Sequence, residues 1–326
     1  MTKRNLIIIH RGREYEQDFK EIAQKASALD KKITIYALST LSSAQLPPSV
    51  WLWPTLVVAF GSKFSLQVRR GVVLRNLPIE KLVQYKIFLN AGIPTPPTEA
   101  FKIGMMLDPF LFGEFVLIKP MELSLTSKGI GIQLFRRQRL EQMKPKDFPP
   151  DHPIHLNQGY LVQRFVDTGP NPSFHRIETF FGKVIYSWHS TLQFPRCPLD
   201  AADEEIERTI IASQGGEKDR ALVKELDILA LAEKVGAAFP DIPLLAVDVL
   251  REEGTGKLYV LECNPGGNTW HFSSKIGEKL RLGFGNAQVN GPQRANQIAR
   301  RMFMEQYGAF DIVARTLVEK TNRLAS

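Results

Sequence analysis

Two acidic residues and one asparagine in the last third of the chain could together bind a metal ion. Asp248 lies in an apolar run at 244–250, and Glu262 and Asn264 close a second run that begins at 258. The polar turn between the runs predicts a β-hairpin, and side chains alternate along a strand, so Glu262 and Asn264 share one face. Hard oxygen ligands such as these suit Mg²⁺. The alternative is that each carboxylate pairs with a nearby Arg or Lys.

The composition is typical of a globular protein with anionic ligands. The chain has 326 residues, enough for two or three subdomains, with 44% hydrophobic and 23% charged residues. No apolar run approaches the roughly 20 residues that span a membrane, and the N-terminus lacks the apolar region of a secretory signal. The formal net charge of +8 favours anionic ligands. Because the basic residues are dispersed and not interleaved with aromatic residues, nucleic acid is not expected as a partner.

The cysteine content favours a cytoplasmic location. Cys197 and Cys263 are the only cysteines, so no disulfide framework is expected. On the predicted hairpin Cys263 points away from Glu262, which indicates a small buried residue. Cys197 lies in a polar segment and is not expected to take part in chemistry.

Hydrophobic periodicity predicts an α/β protein. The first part of the chain has strand–helix–strand order, which predicts a small α/β domain. Its expected elements are strands at 6–9, 33–38 and 55–60, a helix at 14–29 and a loop at 46–54. A helix at 79–90 and an extended Pro-rich linker at 93–97 follow.

The remaining elements would carry most of the chemistry. The expected elements are strands at 115–119 and 160–166, a hairpin at 174–181 and 183–189, an irregular segment at 192–216, a helix at 220–239 and one or two helices in 292–326. A Ser/Thr/Gly-rich loop at 124–132 follows the strand at 115–119, and its backbone N–H groups could contact phosphate oxygens. It is not a Walker A loop, because no GKS or GKT opens a following helix.

Five motifs in order, between residues 79 and 273, resemble those of the ATP-grasp superfamily. Lys81, in EKLVQYKIFLNAGIPTP, matches the first nucleotide-binding lysine of that family, with Glu80 in place of the usual Asp. Lys119, in FVLIKP, matches the second lysine. The resemblance implies an ATP-grasp fold with a small N-terminal α/β domain and two lobes that clamp the nucleotide. The implied domains are residues 1–78, a small lobe at 79–159 and a large lobe at 160–326.

The loop and the hinge of this family also have counterparts. The SKGIGI loop is similar to the phosphate-covering loop of glutamate-ligating and glutathione-synthetase-like members, and the residues implied to bind phosphate are Ser127, Lys128, Gly129 and Gly131. The segment that matches the hinge, whose backbone would bind the adenine edge, is Gln163, Arg164, Phe165 and Val166. The family often has Glu where Gln163 stands. Asp248, Glu262 and Asn264 match the D…E-x-N metal triad, which implies ATP with Mg²⁺, or Mn²⁺ in its place.

The resemblance implies a carboxylate–amine ligase that works through an acyl phosphate. Arg176 would stabilise the tetrahedral intermediate, although it could instead form an ion pair with Glu178 or another neighbour. The residues after the metal triad that would border the substrate are Gly266, Gly267, Asn268, Trp270 and His271. His271 could equally be structural. Ligases of the D-alanine–D-alanine type carry an Arg where this chain has Ala246, so that subgroup is not favoured.

Two other functions remain open at the level of the sequence. Some ATP-grasp members phosphorylate hydroxyl groups, and a third possibility is a nucleotide-binding regulator without catalysis. For the ligase, the expected partners are a small-molecule or peptide carboxylate and an amine, without nucleic acid or membrane. The family also suggests a homodimer.

Overall fold

The protein is built from three β-sheets with helices packed against them. The structure, a computed structural model, describes residues 3–10, 16–40, 46–60, 66, 68–121, 131–156, 159–211, 218–267 and 305–325. Within these residues the sheets have four, five and four strands. The predicted α/β class is confirmed. The division into domains at residues 78 and 159 stays a prediction.

The first sheet is parallel and has the strand order β2-β1-β3-β4. Its elements are β1 (Arg4–His10), α1 (Glu16–Leu29), β2 (Ile33–Ser39), α2 (Ser49–Leu52), β3 (Thr55–Ala59) and β4 (Gly71–Arg75). The central strands β1 and β3 carry continuous apolar runs at 6–9 and 56–59, as expected of a parallel sheet that is covered on both faces. The loop predicted at 46–54 contains the short helix α2, and the edge strand β4 was not predicted at all.

The second sheet is antiparallel, with the order β5-β8-β6-β7. Its elements, with the helix that precedes it, are α3 (Lys81–Asn90), β5 (Thr98–Phe101), α4 (Pro109–Phe112), β6 (Phe115–Pro120), β7 (Gln133–Arg136), α5 (Arg137–Gln142) and β8 (Tyr160–Arg164). Strand β8 follows residue 159 in the chain but pairs here with both β5 and β6, which places the hinge residues at the end of an inner strand of this sheet. Strand β5 is a further element that the sequence did not predict.

The third sheet is antiparallel and has the order β11-β10-β9-β12-β13. Its elements and the helices around it are β9 (Ser173–Phe180), β10 (Lys183–Leu192), α6 (Asp203–Arg208), β11 (Lys218–Leu222), α7 (Leu226–Ala238), β12 (Leu244–Arg251), β13 (Leu258–Pro265) and α8 (Ala309–Leu324). The helix predicted at 220–239 is wrong at its start, because residues 218–222 pair with β10 as an edge strand. The segment predicted as irregular contains α6.

The two faces of the third sheet have different surroundings. One face packs on α7 and α3 through an apolar cluster that includes Ile177, Val247 and Cys263. Cys263 is fully buried there, and burial raises the pKa of its thiol. The other face contacts the first sheet, for example where the rings of Phe60 and Phe180 stack at 5.8 Å. This second face carries the candidate site. In the described part of the chain, no helix has the length and apolar character needed to cross a membrane.

Candidate functional site

Strand register places an arginine and the two candidate metal carboxylates in one row. Arg176 on β9 pairs with Asp248 on β12, and Asp248 pairs with Glu262 on β13. Paired residues of an antiparallel ladder project to the same face. The three charged side chains therefore lie side by side across neighbouring strands. The sequence predicted that the two carboxylates would lie together, and the strand register places Arg176 beside them.

The next row along the same face contains Asn264. Glu178 pairs with Ala246, and Ala246 pairs with Asn264. The carboxylate of Glu178 and the amide of Asn264 therefore lie on either side of Ala246. Glu178 is completely buried. Ala246 between these two residues is itself fully buried. Asn264 also donates from Nδ2 to Glu262 Oε1 at 3.4 Å.

Arg176 and Asp248 form a bidentate ion pair. Arg176 donates from Nε to Asp248 Oδ1 at 2.6 Å and from Nη2 to Oδ2 at 2.5 Å. Burial alone would lower the pKa of Arg176, but the adjacent Asp248 charge outweighs it and raises that pKa, so the guanidinium stays charged. The ion pair anticipated for Arg176 thus exists, with Asp248. The catalytic role assigned to Arg176 stays a prediction.

Glu262 connects the third sheet to the start of helix α3. Lys81 is the first residue of α3, and its Nζ lies 3.1 Å from Glu262 Oε2. Burial would raise the pKa of Glu262, but the positive charges of Lys81 and Lys119 outweigh burial and lower it to about 2. Glu262 is therefore an anion at any physiological pH, as a metal ligand must be.

Lys119 lies in a buried hydrogen-bond network where the second sheet meets the third. Its Nζ donates to Tyr85 Oη at 2.6 Å and to Gln163 Oε1 at 3.0 Å. Gln163 in turn donates from Nε2 to Tyr85 Oη at 3.0 Å and to Thr98 Oγ1 at 2.7 Å. Tyr85 donates to the backbone oxygen of Leu261 at 3.2 Å. Helix α3, two strands of the second sheet and β13 therefore meet at one tyrosine hydroxyl.

Burial changes the proton affinity of Lys119. It lowers the pKa of Lys119 to about 8, although the negative charge of Glu262 acts in the opposite direction. Burial likewise raises the pKa of Tyr85, so its hydroxyl remains protonated. A lysine with such a pKa is still mostly cationic near neutral pH and could bind an anion. The same network holds its amine in place.

The hinge uses most of its polar groups within the protein. The N–H of Arg164 donates to Pro97 O at 2.9 Å, and that of Phe165 donates to Phe115 O at 3.0 Å. The N–H of the buried Val166 has no acceptor among the described residues. Adenine recognition by a backbone N–H would therefore fall to Val166. The sequence analysis named all four hinge residues without distinguishing them, whereas the hydrogen bonds leave only the N–H of Val166 without an acceptor among the last three, within the described residues.

The side chain of Arg164 has a structural role. Its Nη2 donates to Glu252 Oε1 at 2.6 Å and its Nη1 donates to Tyr259 Oη at 3.0 Å. The guanidinium also lies over the Tyr259 ring, 5.4 Å from its centroid. Arg164 therefore ties the hinge to the β12–β13 hairpin, and nothing in this arrangement requires its side chain for nucleotide binding.

Two of the glycines predicted for the site occupy positions where a side chain would collide with a neighbour. Gly267 has φ 53°, and a Cβ there would lie 2.3 Å from Glu178 Oε2. Gly131 has φ 74°, and a Cβ there would lie 2.7 Å from Tyr160 Oη. A Cβ on Gly266 would lie 3.5 Å from the side chain of Asn76, the residue that follows β4. The remaining loop and border predictions lie outside the described residues, and these are Ser127, Lys128, Gly129, Asn268, Trp270 and His271.

The donor set on this face fits a divalent cation with a preference for oxygen. Asp248, Glu262 and Asn264 would supply two carboxylates and an amide, the ligand type that Mg²⁺ favours. Among the described residues, no three His, Cys, Asp or Glu side chains are placed to hold a metal by themselves. A metal here would thus need the Asn264 oxygen and further oxygens from phosphate or water.

The site also contains residues that the motifs did not point to. Tyr85 accepts from Lys119 and Gln163, yet only its position four residues after Lys81, on the same face of a helix, could have suggested it. Glu178 could have been suggested by its spacing of two from Arg176 on a strand. Both signals are too common in sequences to mark a site by themselves.

No family model matches the sequence. No curated protein matches it either. Similar solved structures exist. One is a D-cycloserine synthetase, DcsG, with a TM-score of 0.49 and 12% identity over 97% of this chain and 99% of that one.

Two further solved structures show similar values. The ATP-grasp ligase PsnB, in complex with a minimal precursor, has a TM-score of 0.47 and 13% identity over 92% of this chain and 99% of that chain. A D-alanine–D-alanine ligase from Bacillus anthracis has a TM-score of 0.45 and 12% identity over 98% of each chain.

Proposed function

We propose that the protein is an ATP-grasp ligase that activates a carboxylate as an acyl phosphate and joins it to an amine. The observation that carries the proposal is the convergence of Lys81, Lys119 and Glu262 from three separate elements. Two lysines on either side of a carboxylate suit a polyphosphate with its metal ion. The proposed products are an amide, ADP and phosphate.

Each residue then has a defined part in the reaction. Lys81 and Lys119 bind and orient the phosphates of ATP, and Glu262, Asn264 and Asp248 hold Mg²⁺ or Mn²⁺. The bound metal supplies charge neutralisation at the phosphates. The substrate carboxylate forms a bond to the γ-phosphorus while the bond to ADP breaks. The amine then attacks the acyl carbon, loses a proton, and phosphate leaves.

The positive charge of Arg176 suits the second step. Its guanidinium lies on the same face as the metal residues, and its Nη1 has no acceptor among the residues described. That group would stabilise the oxyanion of the tetrahedral intermediate. Gly266 and Gly267, with Asn268, Trp270 and His271 after them, would border the acyl group. A homodimer and a cytoplasmic location belong to the same proposal.

The test is an ADP-release screen over amino acids and small acids, each with and without amines. We expect turnover that requires a carboxylate, and a hydroxamate product when hydroxylamine replaces the amine. Glu262→Gln and Asn264→Ala should each abolish turnover, because each removes one metal ligand. Glu233→Gln, a change at an exposed position on α7, is the matched control and should keep full activity.

Two results would contradict the proposal in different ways. Full activity in either metal-site variant, with the fold intact by circular dichroism, would show that the metal assignment is wrong. A stable phosphorylated product formed without any amine would favour a phosphotransferase instead.

A further inference from the structure

A second arginine lies on the active face of the third sheet, outside the site described above. Arg220 is on the edge strand β11 and pairs in register with Ser190 on β10, which pairs with Phe174 on β9. Paired residues share a face, and Phe174 is two positions from Arg176 on the same strand. Arg220, Ser190 and Arg176 therefore project to one side of the sheet.

Arg220 has no anionic partner within the part of the chain that the structure describes. The charged group that affects the pKa of Arg220 is Arg176, which is also positive. Burial first, and the Arg176 charge second, lower the pKa of Arg220. Asp248 neutralises Arg176, whereas Arg220 is partly desolvated and has no such anion among the described residues, so an anion beside Arg220 would be favoured.

Ser190 provides a second, independent observation. It is 1% exposed, and its buried Oγ has no hydrogen-bond partner among the described residues. A buried hydroxyl is normally satisfied, and leaving one unsatisfied costs roughly 1–3 kcal/mol. The Phe174 ring next to it lies under the Arg176 guanidinium, 5.7 Å from Cζ to centroid. This part of the face therefore contains the Phe174 ring, the unpartnered hydroxyl of Ser190 and the guanidinium of Arg220.

The position of Arg220 separates it from the nucleotide residues. Strand β11 is at one edge of the sheet and β13, with Glu262, is at the other, with three strands between them. Neighbouring strands lie about 4.8 Å apart, which puts the two edge backbones roughly 19 Å from each other. Phosphates bound by Lys81, which lies beside Glu262, would not reach Arg220. Arg176 lies between the two regions.

We propose that Arg220 and Ser190 form a subsite for a second anionic group of the substrate, distinct from the carboxylate that is activated. The group is a carboxylate or a phosphate, since a guanidinium and a hydroxyl both donate hydrogen bonds to either. This inference rests on the proposed ligase function, because it names the substrate class of that same active face.

The first test compares substrates that differ in one negative charge. ADP release is measured with glutamate against glutamine and with O-phosphoserine against serine. We expect the wild type to prefer one charged member, which also distinguishes a carboxylate from a phosphate. Arg220→Gln should raise KM for that substrate about tenfold or more, the loss of one charge-assisted hydrogen bond. The kcat and the kinetics of the neutral member should be unchanged.

Control variants separate this role from a structural one. Arg220→Lys keeps the charge and should recover part of the lost affinity, whereas Ser190→Ala should raise KM for the charged substrate by a smaller factor. Arg315→Gln, at an exposed position on α8, is the matched control and should behave as the wild type. An Arg220→Gln variant that lowers kcat for charged and neutral substrates alike would overturn the subsite.

The second test does not require turnover. Thermal unfolding of the full chain is followed with inorganic phosphate and with glutarate as probes, in the absence of ATP. We expect one probe to raise the unfolding midpoint of the wild type but not that of Arg220→Gln. Equal shifts in both proteins, or none in either, would overturn the subsite.

The two tests separate failure of the subsite from failure of the function. If no carboxylate supports ADP release, the ligase function fails, and the probe shifts still decide whether Arg220 binds anions. If ADP release occurs but Arg220→Gln keeps the charge preference, the subsite fails and the ligase function stands.

Discussion

At the scale of single residues, each candidate metal carboxylate is already neutralised by a cation of the chain. Asp248 binds Arg176, and Glu262 binds Lys81. Binding of a nucleotide with its metal would replace the Lys81–Glu262 ion pair. Phosphate oxygens would then bind the lysine, and the metal would bind the carboxylate. Because neither carboxylate lacks a cation beforehand, the unliganded site avoids the cost of an isolated buried charge.

Lys119 gives a prediction about pH. Its pKa is lowered from 10.5 to about 8 by burial, so the amine loses its proton as pH rises through 8. We expect ATP affinity to be highest below pH 8 and to fall by up to about tenfold per pH unit above it, because a neutral amine does not attract phosphate. Equilibrium titration with ATP between pH 7 and about 10 measures this.

The stability of the unliganded protein should change in the opposite direction. Between pH 8 and 10.5 the unfolded chain keeps the Lys119 proton that the folded protein has lost. The free energy of unfolding should therefore rise with pH in that window. Lys119→Arg is the control, because arginine stays charged and its ATP affinity should be flat over the same range. A wild-type affinity that is equally flat would contradict the prediction.

The sequence identified those residues whose chemical type by itself indicates what they could bind. A metal role for Glu262 could be predicted from its spacing with Asn264, and phosphate roles for Lys81 and Lys119 could be predicted from motifs that resemble those of the ATP-grasp superfamily. Tyr85 and Arg220 could not, for physical reasons. The role of Tyr85 depends on which groups meet its hydroxyl across three elements. Arg220 was expected on a helix, and only the strand register places it beside Ser190.

At the scale of elements, the segment after β10 connects the third sheet to the second sheet. Helix α6 packs against β7, where Arg136 donates from Nη1 to Asp203 Oδ1 at 2.6 Å. The Nη2 of Arg136 also donates to the backbone oxygens of Leu199 and Ala201, both at 2.9 Å. One arginine therefore holds three points of this segment against the second sheet.

Removal of Arg136 should release that segment without unfolding the sheets. We expect Arg136→Ala to speed amide hydrogen exchange in residues 199–208 by about tenfold or more, equivalent to about 1.4 kcal/mol, because three charge-assisted bonds are lost. Hydrogen-exchange mass spectrometry measures it, with the exchange of β9 and β12 as the internal reference. Arg139→Ala, which removes a single bond to Glu207, should have a smaller effect. Equal protection in Arg136→Ala and wild type would refute this role.

The elements that the sequence missed have a common cause. Strands β4, β5 and β11 are short edge strands, and the sequence KDRAL of β11 has three charged residues followed by two apolar ones, so it lacks the alternation that indicates a strand. Edge strands depend on the partner strand for most of their stabilisation. The central strands, with longer apolar runs, were predicted within a few residues of their bounds.

At the scale of the whole molecule, the first sheet, the third sheet and the last helix share one apolar core. Leu6, Phe180 and Leu317 belong to the same buried cluster. Helix α8 also packs on α1, and Arg4 donates from Nε to the backbone oxygen of Ala325 at 2.9 Å. The beginning of the described chain is therefore held by its end.

This shared core makes α8 a determinant of global stability. We expect Leu317→Ala to lower the free energy of unfolding by about 2–5 kcal/mol, the usual cost of a cavity at a fully buried leucine. Urea denaturation followed by circular dichroism measures the change. Arg315→Ala, on the exposed side of the same helix, should stay within about 0.5 kcal/mol of the wild type. A small effect of Leu317→Ala would mean that α8 is dispensable for the core.

The contact of α1 and β1 with α8 has a consequence for synthesis on the ribosome. A first domain commonly folds as soon as it emerges, before the rest of the protein has been made. Here the first sheet emerges early, but the apolar face that Phe310, Val313 and Leu317 cover stays open until translation has passed residue 317. All the residues between β4 and Leu317 must therefore be made before the strands of the first sheet are fully covered, and chaperones that bind apolar surface would find this face available until then.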